Sequence, residues 1–94
     1  MDFEKPDLKR FPCLRLAYEA IKAGGIMPTV LNAANEIAVE AFLNEVVKFT
    51  DIALIIERSM AEFAPEAADT LERVLQADQD ARKVANDIIK TLVN

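Results

Sequence analysis

Hydrophobic positions recur at helical spacing in successive blocks along this chain, separated by proline, glycine or short polar stretches. The first block follows Pro12, a residue suited to the first helical turn because its missing N–H leaves no bond unmade there. Leu14, Ala17, Tyr18 and Ile21 follow at helical spacing. Gly24 and Gly25 then end the helix, supplying the left-handed backbone that helix ends favour. The second block starts near Pro28 and runs to about Asn44. At about 100° per residue, Val30, Leu31, Ala34, Ile37, Ala38, Ala41 and Phe42 fill one broad face. Asn32, Asn35, Glu36 and Glu40 lie opposite, with Val39 and Leu43 among them. A helix apolar nearly all round is usually buried between others, so this one is expected at the centre.

The third block is the cleanest amphipathic stripe: Ile52, Ile55, Ile56, Ser59, Met60 and Phe63. Thr50 is the expected cap, with Asp51 favourable near the positive end of the helix dipole. "APEAAD", residues 64–69, is the next connection, because its proline breaks the helical register. Thr70 is the next cap, followed by Leu71, Val74 and Leu75. The stripe resumes at Ala81, Ala85, Ile88, Ile89 and Leu92 and runs to the end of the chain. Asp78 and Arg82 fall on this apolar face, four residues apart. Either they pair, or the helix breaks and Asp78 caps a new one; the break is the expectation, since an aspartate before a strong helical pattern is a start signal. Residues 1–10 are polar around Pro6 and read as an extended lead-in, in which Phe3 could join a short strand. The prediction is an all-α fold: an up-and-down bundle of about four helices over residues 11–94, entered by the lead-in 1–10.

Composition narrows the functions this bundle can have. The chain has 94 residues, 52% hydrophobic and 29% charged, with a net charge of −5. Nucleic-acid binding fits poorly with that charge, and the local group Lys5, Lys9, Arg10 and Arg15 reads as a solvated segment. No histidine is present, which removes the commonest general base and metal ligand. Cys13 is the one cysteine, so no internal disulfide forms, and a reducing, cytoplasmic setting is expected. On an alanine- and leucine-rich helix it reads as an ordinary buried thiol. No apolar run approaches the roughly 18 residues that span a membrane. The N-terminus lacks the apolar core of a signal peptide.

The candidate chemistry is thin. Gly24 and Gly25 lack the spaced glycines and preceding strand of a dinucleotide-binding loop. Glu36 and Glu40 are one helical turn apart, as in di-metal carboxylate bundles, but those use Glu-x-x-His pairs that this chain cannot supply. They read as a charged strip facing solvent or an interface. Asn32 and Asn35 must find partners for their amides if buried, at a cost on the order of 1–3 kcal/mol otherwise. The expected partners are backbone groups of an adjoining loop, which would lock the helix register. From the residues alone, no catalytic, cofactor-binding or metal-binding residue is assigned.

One family shares the distinctive blocks. The run "FPCLRLA" (Phe11 to Ala17), the pair Gly24–Gly25, Pro28 and "LNAANE" (Leu31 to Glu36) resemble the C-terminal region of 1-deoxy-D-xylulose 5-phosphate reductoisomerase. Phe3, Pro6 and Asp7 before them, and "FTDI" (Phe49 to Ile52) with Ala77, Asp78, Ala81 and Arg82 after them, extend the resemblance over nearly the whole chain. It implies a parent enzyme that uses NADPH and a divalent metal, magnesium or manganese. That enzyme turns 1-deoxy-D-xylulose 5-phosphate into 2-C-methyl-D-erythritol 4-phosphate in the non-mevalonate isoprenoid pathway. It also implies an N-terminal dinucleotide-binding domain, a central catalytic domain and a helical C-terminal domain. This chain resembles the last, so the implied metal, phosphate and NADPH ligands belong elsewhere. Asn32, Asn35 and Glu36 match the family's motif and are read as structural. The chain is expected to be a piece of the longer enzyme, inactive alone, with the central catalytic domain as its partner. Val39, Leu43 and the lead-in around Phe3 would then be uncovered in the piece and promote self-association, with exchange of the N-terminal segment. The alternative is a free-standing helical protein-interaction module.

Overall fold

The computed structural model describes residues 11–93, and the expected lead-in 1–10, Phe3 included, lies outside them, as does Asn94. Four helices make up the regular structure of the described residues: α1 (Pro12–Ala23), α2 (Met27–Leu43), α3 (Phe49–Ala61) and α4 (Leu71–Val93). Helix α2 packs against all three others, and α3 also touches all three, while α1 and α4 do not meet. The result is a slab 43 × 34 × 18 Å rather than a closed ring. With α2 central, the sequence reading of that helix holds.

The core is built largely of small residues. Helix α4 buries Ala77, Ala81, Ala85 and Ile89, one residue per turn along a single ridge. Helix α2 answers with Ala33, Ala34, Ala38 and Ala41. Alanine against alanine lets two helix backbones approach closely, at the short end of the interhelical range. The larger side chains fill the space beside that seam. Leu16, Ile52, Ile55, Ile56 and Val47 pack around the α2 alanines at one end. Ile26 and Val30 pack with Ala33, Ala77 and Ala81 at the other. The Ser59 hydroxyl is fully buried in α3 and has no hydrogen-bond partner among the described residues.

Helix ends follow the local chemistry with one exception. Thr70 Oγ1 accepts a hydrogen bond from Arg73 N–H at 3.1 Å, as a cap should. Thr50 does not cap α3: the helix begins one residue earlier, and Asp51 accepts from the Lys48 N–H at 2.9 Å. The helix thus starts ahead of Thr50, and the Asp51 carboxylate reaching back satisfies the Lys48 N–H at its entry.

The second correction concerns α4, which runs unbroken from Leu71 to Val93. Asp78 is not a helix start. Its carboxylate takes the Arg82 guanidinium at 2.8 Å, one turn along the same helix. The buried ridge at Ala77, Ala81 and Ala85 passes straight through this region. Asp78 and Arg82 flank that ridge, each only partly exposed, so the helix has no reason to break.

Gly24 and Gly25 both adopt positive φ, +71° and +57°. The second lies against the connection between α3 and α4. A Cβ on Gly25 would stand 2.0 Å from the Glu66 carbonyl oxygen. The next residue, Ile26, donates its N–H to that same oxygen at 2.9 Å. The Glu66 carboxylate in turn accepts from Arg73 Nε at 2.9 Å. One residue thus ties the α1–α2 turn to the start of α4. Arg15 does the same for α1 and α3, bonding Glu57 at 2.7 Å and Glu19 at 2.9 Å.

Candidate functional site

The outward side of α2 carries the residues singled out in the sequence, and the structure separates them into two grooves. Asn32 and Asn35 are exposed, not buried. Among the described residues neither amide makes a hydrogen bond to a loop or to any other group, which corrects the expectation of a register-locking network. The physical reason is the choice of buried face. Ala33 and Ala34 turn inward, and that places 32 and 35 on the opposite side of the helix.

Helix α1 shows the same reversal. Its buried residues are Leu16 and Ala20, whereas Tyr18 is 50% and Ile21 69% exposed. The apolar stripe Leu14–Tyr18–Ile21 therefore faces away from the bundle. Cys13, expected buried, is exposed as well. Its thiol still sits among apolar neighbours, and that partial burial pushes its pKa above the usual thiol value.

Between α1 and α2 these outward residues enclose an open groove of about 570 Å³. Leu14, Ala17 and Ile21 form one wall, Pro28, Leu31 and the two asparagines the other. Among the described residues no charged side chain lines it. A second groove, of about 610 Å³, runs between α2 and α4. It begins at Asn35 and continues past Glu36, Val39, Glu40 and Leu43, with Arg82 on the α4 side. Val39 is half-buried there and Leu43 exposed.

Glu36 is an anchor for Arg82 in this second groove. The Arg82 guanidinium bridges Asp78 on its own helix and Glu36 on α2. These two carboxylates, Asp78 first, hold the guanidinium pKa above its ordinary value. Sequence reasoning had the residues but not this long-range pair, since 46 positions separate its members.

NADPH and a divalent metal are implied by the family resemblance, and the described residues do not fit either. No three carboxylate or thiol groups gather among them as metal ligands. Glu36 and Asp78 are engaged by an arginine. The glycine pair turns its backbone toward Glu66, not toward an open phosphate site. What the two grooves offer is packing surface and amide hydrogen bonds.

Similarity to known proteins is extensive. The family profile of the DXP reductoisomerase C-terminal domain matches residues 1–84. The 1-deoxy-D-xylulose 5-phosphate reductoisomerase of Methylococcus capsulatus is 60% identical over 92 residues, which are 98% of this chain and 23% of that protein. The reductoisomerase of Cupriavidus metallidurans is 58% identical over 85 residues, 90% of this chain and 22% of its own length. Among solved structures, the Zymomonas mobilis reductoisomerase in complex with NADPH superposes with a TM-score of 0.86 at 49% identity, covering 95% of this chain and 24% of that one. A DOX-P reductoisomerase in complex with magnesium gives a TM-score of 0.83 at 41% identity, over 97% of this chain and 25% of that one. The chain therefore spans less than a quarter of the length of the two relatives described first. With sequence and fold agreeing from one end of the bundle to the other, the chain belongs to the DXP reductoisomerase C-terminal domain family.

Proposed function

We propose that this chain is the supporting domain of an NADPH- and divalent-metal-dependent reductoisomerase that acts on 1-deoxy-D-xylulose 5-phosphate in isoprenoid synthesis. In this reading, residues 11–94 are the helical unit and 1–10 the link into it. The unit supplies no catalytic, cofactor-binding or metal-binding residue and has no activity alone. Its partner is the central catalytic domain of the same enzyme. The cytoplasm is the proposed compartment; none of the described helices is long and apolar enough to cross a membrane, in keeping with that.

One observation carries the proposal: relatives and solved structures match this fold as a part of a much longer reductoisomerase chain. A free-standing interaction module is the weaker reading, because the same matches place the sequence inside enzymes.

The test is NADPH oxidation driven by the substrate. It is measured for the chain alone, for the parent enzyme lacking this region, and for the two mixed. Silence alone with recovery on mixing is the expected result. Turnover by the chain alone would overturn the assignment of no catalytic residue. A truncated enzyme as active as the intact one would remove the supporting role.

A further inference from the structure

We infer that the groove between α1 and α2 seats a segment of the preceding, catalytic part of the parent enzyme. The inference rests on the reading above, that this chain is one domain of a longer reductoisomerase.

Three features define the occupant. The groove is open and about 570 Å³ in volume, and among the described residues its walls carry no charge on a chain whose net charge is −5. Depletion of charge from an apolar patch marks the core of a protein interface rather than ordinary surface. Its apolar wall is Leu14, Ala17 and Ile21, with Tyr18 on the same outward side of α1. An apolar helix face left uncovered is what a partner normally buries.

Asn32 and Asn35 supply the polar half of the seat. They are one helical turn apart on α2, exposed, and make no hydrogen bond among the described residues. An asparagine amide carries two donors and one acceptor, so it can satisfy either half of a peptide group. The occupant is therefore an uncharged segment whose backbone groups are not already used in a helix. Apolar side chains fill the groove, and the two amides hold the main chain in register.

The source of that segment follows from length. The chain matches 23% of the Methylococcus capsulatus reductoisomerase, so the greater part of such an enzyme lies outside it. Helix α1, the first of the described helices, forms one wall of the groove. A second copy of the chain is the competing occupant.

The experiment is hydroxyl-radical footprinting of the intact enzyme, read peptide by peptide over a wide protein concentration range. Protection of Tyr18 and Ile21 down to the level of buried Leu16, at every concentration, is expected. Labelling of Ile21 near its unfolded-state rate would overturn the inference. Protection lost on dilution would also overturn it, in favour of a second copy. Ile21→Glu in the same enzyme supplies a second readout: a roughly tenfold loss of turnover with helix content retained, restored by Ile21→Leu. Full turnover in Ile21→Glu would count against the seat. The unmodified intact enzyme is assayed first. If it fails to oxidise NADPH with the substrate, the functional reading fails, whereas the footprint still decides the groove.

Discussion

Gly25 is the position where a single atom matters most. Its φ is +57°, and an added Cβ would meet the Glu66 carbonyl at 2.0 Å, a backbone group that cannot swing aside. Left-handed backbone alone costs an L-residue roughly 1–2 kcal/mol, and the overlap adds to that. Gly25→Ala should therefore lower the unfolding free energy of the chain by at least about 2 kcal/mol, read from the urea midpoint. A loss of only a few tenths would show that the turn can move off Glu66. Ser59 argues in the opposite direction. Its hydroxyl is fully buried without a partner among the described residues. Leaving such a group unsatisfied costs about 1–3 kcal/mol, so Ser59→Ala should stabilise the chain by about 1 kcal/mol. Destabilisation would mean that the hydroxyl has a partner after all. Neither effect is legible in sequence. "GG" announces a helix end but not what lies against it, and a serine in an apolar stripe looks like any small residue.

At the scale of elements, caps and charge pairs divide along local and long-range lines. Thr70 caps α4, so Thr70→Ala should cost about 1 kcal/mol, whereas Thr50→Ala should cost little, because Asp51 holds the start of α3. Equal losses in the two variants would contradict this assignment. Arg82 joins α4 to α2 through Glu36, but its side chain stays 37% exposed. Solvent screening keeps such pairs to within about 1 kcal/mol. Arg82→Gln should fall within that limit and leave the helical circular dichroism signal intact, because α4 depends on its alanine ridge and not on the ion pair. Loss of a helical turn's worth of signal would revive the break at Asp78. The four helices were readable from periodicity and punctuation, because a 3.6-residue repeat needs only neighbours in sequence. The α4 break was misread for a related reason: aspartate resembles a cap until its pairing with Arg82 is known.

For the whole molecule, flatness is the governing property. In a slab 18 Å thick, α1 has only one side against the bundle. Its other side leaves Leu14, Tyr18 and Ile21 to solvent, and Leu43, 71% exposed, lies uncovered on α2. The free chain should accordingly self-associate. Sedimentation velocity should show weight-average mass rising with concentration, and Ile21→Glu should shift it toward the monomer. A single monomeric species across the range would contradict this.

The sequence by itself determined the helices, most of their ends, the all-α class and the family. Each of these rests on residues near one another in the chain or on a distinctive string such as "LNAANE". For α3 the stripe of Ile52, Ile55, Ile56 and Ser59 already marked the buried face, whereas the face that α1 buries was decided by tertiary structure. Helix α1 has two apolar sides, Leu16 with Ala20 and Leu14 with Ile21, and periodicity cannot rank them. The smaller side won, because Leu16 and Ala20 fit against α2 and α3 while no described helix covers the other. Asn32 and Asn35 followed the same rule, turned outward by the alanines beside them. Burial is a property of what packs against a residue, and that partner lies far away in sequence.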